Sequence, residues 1–236
     1  MKKDLIFERY SRQIFIEEIG VSGQRKIMNA NVLIIGAGGL GSPVLQYLAA
    51  AGIGKLALAD FDQVELHNLN RQVIHSEKQL HKTKVSSAAD FMQQHNSTID
   101  FRPLQVKIDA GNAVEILQPY DIIVDCCDNF ETRYLLNETC LRLNKPLVYG
   151  SIYGFEGQLA VFNYNGSKNL LDLFPTAPPS EQVPNCDKNG VLGPLPGIIG
   201  SMMAMQVLKI AAELPVDCNQ LTLVDTLHWR FSKLFF

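Results

Sequence analysis

Apolar positions along this chain fall into short continuous runs, and stretches of helix-like spacing lie between them. Residues 4–29 mix charged and apolar positions at helical spacing, with breaks expected near Gly20 and Gly23. Asn31 to Ile35 is a short run rich in β-branched residues that meets a glycine cluster, which predicts a buried strand. Ser42 and Pro43 suit the first turn of a helix, because proline there lacks only an amide that would be unpaired. That helix should run to about Ala51 and stop at Gly52-Ile53-Gly54. A second strand, Lys55 to Ala59, then leads to Asp60. A polar loop over 62–75, a helix at about 82–95, a strand around Ile99 to Val106 and a short helix over 110–117 follow. Asp121 to Asp125 reads as a central strand, followed by a helix over 131–144 and a strand over 147–150.

Strands that alternate with helices predict an α/β fold, a Rossmann-like and mostly parallel sheet with helices on both faces. The pattern changes after residue 150. Gln158 to Tyr164 is an expected strand, and 165–190 is rich in Pro, Asn and Ser with little periodicity. Loops of that length in compact domains are usually functional or mobile. A helix over 198–213 and a strand over 220–225 complete the reading. The chain is therefore read as one domain, with an N-terminal helical segment (1–29), a core of alternating strands and helices (30–150) and a distinct final portion (151–236).

Composition narrows the classes. A chain of 236 residues can build one large core. The net charge of −3 gives no electrostatic footprint for nucleic acid. The longest apolar stretch, Val191 to Ile210, is interrupted by Gly, Pro and Gln, so no membrane span is expected. The start, Met-Lys-Lys-Asp-Leu-Ile-Phe-Glu, lacks the apolar run of a signal peptide, and a cytoplasmic protein is expected. Five cysteines at irregular spacing argue against a disulfide framework. With no CxxC and no HxxH, a structural zinc site is unsupported.

The chemistry gathers at the expected strand ends. Gly36-x-Gly38-x-x-Gly41 lies between a strand and a helix, the context in which such a loop holds phosphates. Gly36 permits a tight turn, Gly38 clears space for phosphate and Gly41 permits close helix packing. The helix amino end adds amides and partial positive charge. Asp60, ending the second strand, is placed to take a ribose hydroxyl, although Asp62 is close enough to compete for that role. These features suit a dinucleotide or ATP equally. Arg71, Gln72, Lys84 and Asp128 tip the balance, because cations and a carboxylate among phosphates make sense with Mg²⁺ between them. His67 and His75 read as polar loop residues, Cys126 and Cys127 as strand-end packing, and Cys140 as core.

The ordered combination resembles the ThiF/MoeB/HesA family. The residues that carry the resemblance are Arg9-Tyr10-Ser11-Arg12-Gln13, Val32 through Gly41, Ala59-Asp60-Phe61-Asp62 and Asn68-Leu69-Asn70-Arg71-Gln72. They continue with Lys84, Asp125-Cys126-Cys127-Asp128-Asn129, Gly157-Gln158, Asn185-Cys186 and Gly190 through Pro194. The resemblance covers residues 7 to about 230. It implies an adenylyltransferase, in which the C-terminal glycine carboxylate of a small ubiquitin-like sulfur carrier attacks the α-phosphorus of ATP. It places Asp60 and Lys84 at the ribose and phosphates, Arg71 on phosphates, Asp128 on Mg²⁺, and Asn68, Gln72 and Asn129 beside them. Arg12 would reach the neighbouring subunit's ATP, which implies a homodimer. It also makes the final portion, with its crossover over 165–190, the smaller sheet region on which the carrier docks.

ThiF-like members use the cysteine matching Cys186 in a covalent link to the carrier during sulfur transfer, whereas molybdopterin-type relatives do not clearly depend on it. The resemblance thus implies either that role or a retained, inert thiol. Many members hold zinc with two CxxC pairs. Here the first region reads Asn169 to Pro175 without thiols, and no second pair follows, so no zinc is expected. Leu170, Leu171, Leu173 and Phe174 are expected to anchor the crossover instead. No sulfur-donating extension is recognised, so a separate donor protein is expected. Thiamine thiazole synthesis is the favoured pathway and a molybdopterin-type carrier the alternative. A NAD-dependent oxidoreductase, supported by the glycine loop and Asp60, is the alternative from another class.

Overall fold

Strand β1 (Asn31–Ile35) is apolar on both faces, with Val32 and Ile34 on one side, Leu33 and Ile35 on the other, and all four buried. A strand of that kind has to be covered twice, and it is. The computed structural model describes residues 2–177 and 190–236. Within them eight strands form one sheet: β1, β2 (Lys55–Ala59), β3 (Asp100–Leu104), β4 (Ile122–Asp125), β5 (Leu147–Tyr153), β6 (Glu156–Phe162), β7 (Gln220–Asp225) and β8 (Arg230–Phe235). Their spatial order is β3-β2-β1-β4-β5-β6-β7-β8. The first five are parallel, and β6, β7 and β8 continue antiparallel. The expected smaller sheet region is thus joined to the main sheet along β5 and β6.

The helices are α1 (Lys2–Ile14), α2 (Gly20–Asn29), α3 (Gly41–Ala51), α4 (Lys84–His95), α5 (Ala113–Leu117), α6 (Phe130–Leu143), α7 (Leu170–Leu173) and α8 (Pro194–Ala211). Leu45 and Leu48 of α3, Val85 of α4, and Ile199 and Met203 of α8 build the core on one face. Leu117 of α5 and Leu136 and Cys140 of α6 build it on the other. Fully burying a side chain such as Leu48 is worth about 1.5–3 kcal/mol, so these two layers hold the sheet.

Helix α8 is long and apolar enough to cross a membrane by length and composition, with mean hydropathy 1.2 over 18 residues. Its buried Ile199, Met203 and Val207 instead pack into the sheet core. It begins four residues before the expected start at 198, because Pro194 and Pro196 fall in its first turn, where proline is tolerated.

Other boundaries moved for physical reasons. The helical break falls at 15–19; Gly20 opens α2, and Gly23 lies buried within it against Ile19. Strand β8 was not foreseen, since all its residues are exposed and an edge strand of that kind writes no burial pattern into the sequence. In the crossover, Leu170 is buried while Leu173 and Phe174 pack partly against the core. Leu171 is exposed and anchors nothing. Asn169 caps this short helix by accepting the Leu171 amide at 2.9 Å.

Candidate functional site

The strand order turns outward in both directions from β1 and β4, and in open α/β sheets ligands bind beyond the strand ends at such a point. The loops leaving these two strands touch. Gly36 has φ +99°, and a Cβ on it would stand 2.7 Å from the Cys126 carbonyl oxygen. A Cβ on Gly41 would collide with the Gly36 carbonyl, which is why the helix can start so close to the loop. A cavity of about 190 Å³ opens here, lined by Gly36, Gly38, Gly39, Asp60, Arg71, Gln72, Lys84, Asp128 and Asn129 among others. Residues from five separated segments of the chain meet at this one edge.

The two competing carboxylates both line the cavity but hold different partners. Asp60 lines the cavity, accepting the Ala37 amide at 2.7 Å through Oδ2 and the Asp62 amide at 2.8 Å through Oδ1. It therefore braces the glycine loop as well as facing the ligand space. Asp62 Oδ2 takes the Lys84 ammonium at 2.9 Å. Lys84 is the first residue of α4, whose amino end is capped by Thr83 Oγ1 accepting the Ser86 amide at 3.2 Å.

Arg71 donates through one guanidinium nitrogen to the His67 carbonyl and to Asn70 Oδ1, each at 3.0 Å. Gln72 is buried, and its side-chain oxygen Oε1 has no hydrogen-bond partner among the described residues. An orphaned buried acceptor on a cavity wall costs free energy unless a ligand donor meets it. Asn68 does not line the cavity, contrary to expectation. It is buried, its Oδ1 accepts the Glu65 amide at 3.1 Å, and its carbonyl receives the amides of Arg71 and Gln72. Its work is to hold the loop that presents those two residues.

Asp128 faces the cavity, while the side chain of Asn129 accepts the Thr132 amide at 2.9 Å and caps α6. Arg12 is exposed on α1 and does not line its own chain's cavity. Cys186 lies outside the described residues. Among the described residues no three His, Cys, Asp or Glu side chains gather in a metal-binding group.

Two residues that sequence reasoning passed over belong to this architecture. His75, read as a polar loop residue, is buried, with Nδ1 2.7 Å from Ser87 Oγ and Nε2 3.1 Å from the Ala37 carbonyl oxygen. A carbonyl only accepts, so Nε2 carries the proton, and in the neutral ring Ser87 then donates to Nδ1. Burial lowers the pKa of the ring below its ordinary value, with Lys84 adding to the effect and the Ala37 bond opposing it.

Arg133 is the second. It donates to the Tyr149 hydroxyl at 3.0 Å, the Cys127 carbonyl at 2.8 Å and the Gly150 carbonyl at 2.9 Å. Its Nε lies 3.7 Å from Asp125 Oδ2. Burial works against this guanidinium, but Asp125, Tyr149 and Cys127 more than offset it, and its pKa is raised. Burial pushes the Asp125 carboxyl up while Arg133 opposes. A lone arginine on a helix has no sequence signature; the nearest signal was the carboxylate ending a buried strand.

Cys126 and Cys127 pack at the strand end as expected, and burial with Asp125 pushes both thiols well up. Cys140 is pushed up to about 12 by burial. None of these three is poised as a nucleophile.

The ThiF family model matches residues 10–234. Adenylyltransferase and sulfurtransferase MOCS3 of Xenopus laevis is 49% identical over 227 residues, covering 96% of this chain and 50% of that protein. The MOCS3 of Anopheles gambiae is 50% identical over 202 residues, covering 86% and 46%. The chain thus spans about half the length of the curated relatives it matches. Among solved structures, E. coli MccB with ATP superimposes with a TM-score of 0.83 at 23% identity, covering 96% of this chain and 71% of that one. PaaA superimposes with a TM-score of 0.82 at 21% identity, covering 97% and 73%. These two structures share the fold.

Proposed function

The chain belongs to the ThiF family, and from that premise we propose that it is an ATP-dependent adenylyltransferase acting on the C-terminal glycine of a small ubiquitin-like sulfur carrier. One observation carries the reading: the glycine loop, Asp60, Arg71, Lys84 and Asp128 line a single cavity at the sheet's carboxyl edge. The chemistry suits those groups. A carboxylate oxygen of the carrier attacks the α-phosphorus, the bond to the β-phosphate oxygen breaks, and its electron pair leaves with pyrophosphate. The attacking group is already ionised at neutral pH, so no general base is needed. Arg71 and Lys84 stabilise the negative charge that builds on the phosphates. Asp128 would hold Mg²⁺, which would supply positive charge beside the phosphates. The Gln72 oxygen is an acceptor, which a ribose hydroxyl of the nucleotide or an amide of the carrier tail would satisfy by donating to it.

The proposed active unit is a homodimer. Arg12 stands beside exposed Phe7, Phe15 and Ile16, apolar surface of the kind an interface covers. Thiamine thiazole synthesis was the favoured pathway from sequence. The MOCS3 relatives, at 49–50% identity, shift the preference toward the molybdopterin-type carrier. A covalent role for Cys186 belongs to the thiamine-type alternative. Cytoplasmic residence fits the free state of Cys126, Cys127, Cys140 and Cys218.

The test is carrier-dependent ATP–pyrophosphate exchange with carriers ending in Gly-Gly from both pathways. Exchange is expected with one of them. Asp128→Ala should lower it by about 100-fold or more, because the charge that holds the metal is gone. A folded enzyme that exchanges pyrophosphate with neither carrier refutes the assignment.

A further inference from the structure

We infer that His75 is a positioning residue for the nucleotide, clamping the glycine loop from the side opposite Asp60. This rests on the nucleotide-binding reading above and adds a residue to it. Residue Ala37 lies between Gly36 and Gly38, in the turn of the loop that faces the cavity. It is held at both ends. Its amide donates to Asp60 Oδ2 at 2.7 Å, and its carbonyl accepts from His75 Nε2 at 3.1 Å.

The same histidine reaches two more cavity elements. Its backbone amide donates to the Gln72 carbonyl at 3.1 Å, joining it to the loop of Arg71 and Gln72. Its Nδ1 accepts from Ser87 of α4, the helix that begins with Lys84. His75, Ser87 and Asp60 are all buried. The charged groups that face the ring are Lys84 and Asp60.

The arrangement dictates a chemistry. Only the neutral ring with its proton on Nε2 can donate to Ala37 and accept from Ser87. Burial favours that neutral form. A backbone loop fixed through the two peptide groups flanking one residue presents its amides in one geometry before the ligand arrives, and preorganisation of that kind lowers the cost of binding. His75 does not line the cavity, so it acts through the loop.

The substituted amides separate positioning from filling. Gln places its Nε2 near the position of the histidine Nε2 and can still donate to Ala37. Asn reaches only the Nδ1 position, toward Ser87. Wild type, His75→Gln and His75→Asn are titrated with Mg-ATP by calorimetry, with melting midpoints recorded alongside. Histidine ¹⁵N spectra of the wild type assign the tautomer at pH 7. The expected result is an affinity for ATP within about threefold of wild type for Gln and about tenfold weaker or worse for Asn. In carrier-dependent exchange the loss should fall on KM for ATP more than on kcat, and the spectrum should show the Nε2–H form. Equal ATP affinity in a folded Asn variant overturns the inference, as does equal loss in both variants. An Nδ1–H ring or an imidazolium overturns it even if the Asn variant does not fold. A wild type that does not bind ATP refutes the nucleotide reading itself, and that outcome is visible without either variant.

Discussion

Lys84 Nζ lies 2.9 Å from Asp62 Oδ2, so the ammonium meets the cavity as half of an ion pair. The lysine side chain is 9% exposed and the aspartate 49%. A cation that deep needs a partner, and Asp62 supplies one until a phosphate can share it. Lys84→Met should therefore lower kcat/KM for exchange by about 100-fold, as loss of a preorganised charge does. Asp62→Asn keeps the cation and should cost less than about tenfold. Initial rates for the two variants decide the matter; equal damage would make the pair itself the working unit.

The Asp125–Arg133 pair carries a different prediction. Both side chains are almost wholly buried, and the arginine ties the Cys127 carbonyl, at the root of the loop bearing Asp128, to Gly150 on β5. Arg133→Met leaves a carboxylate buried without its partner and should cost about 3–5 kcal/mol in urea unfolding. The double variant Arg133→Met with Asp125→Leu removes both charges and should cost less than the sum of the singles. Strict additivity would assign the damage to the lost carbonyl clamps.

This pair also marks where the sequence stopped being readable. The bounds of β1, β2 and β7 follow from apolar runs between turn residues, and the structure has them where the sequence puts them. The cavity was legible for the same reason, since glycine spacing and charged residues at strand ends are local signals. What escaped depends on contacts between distant segments. His75 looks polar because Ser76, Glu77 and Lys78 follow it, yet it is buried against α4 and the glycine loop. Asn68 looks like a ligand contact because it sits by Arg71, yet its oxygen closes a turn. Strand β8 pairs only through its backbone with β7, and no side-chain alternation records that.

His75 predicts a pH effect on stability with a fixed sign. Burial lowers its folded pKa below the ordinary 6.5, with Lys84 contributing in the same direction. The unfolded chain then binds a proton at a higher pH than the folded one does. Stability from the neutral ring is fully present above about pH 6.5 and is lost as pH falls toward the folded pKa. The slope of this contribution cannot exceed about 1.4 kcal/mol per pH unit. Urea unfolding at pH 7, 6 and 5 should show wild type losing more stability than His75→Gln, which has no ring to titrate. Parallel losses would mean that the ring titrates alike in both states.

Arg12 offers the sharpest test of the proposed dimer. It is exposed on α1 and does not line its own chain's cavity, and in the proposed dimer it would reach the phosphates of the other subunit. Arg12→Ala and Lys84→Met should each be nearly inactive alone. Mixed and allowed to exchange subunits, about half the dimers would be hybrids, and each hybrid would hold one site with both cations. The mixture should recover about a quarter of the wild-type exchange rate, read against co-purification of two differently tagged chains. Hybrids that form without recovering activity would exclude a shared site, as would full activity in Arg12→Ala alone.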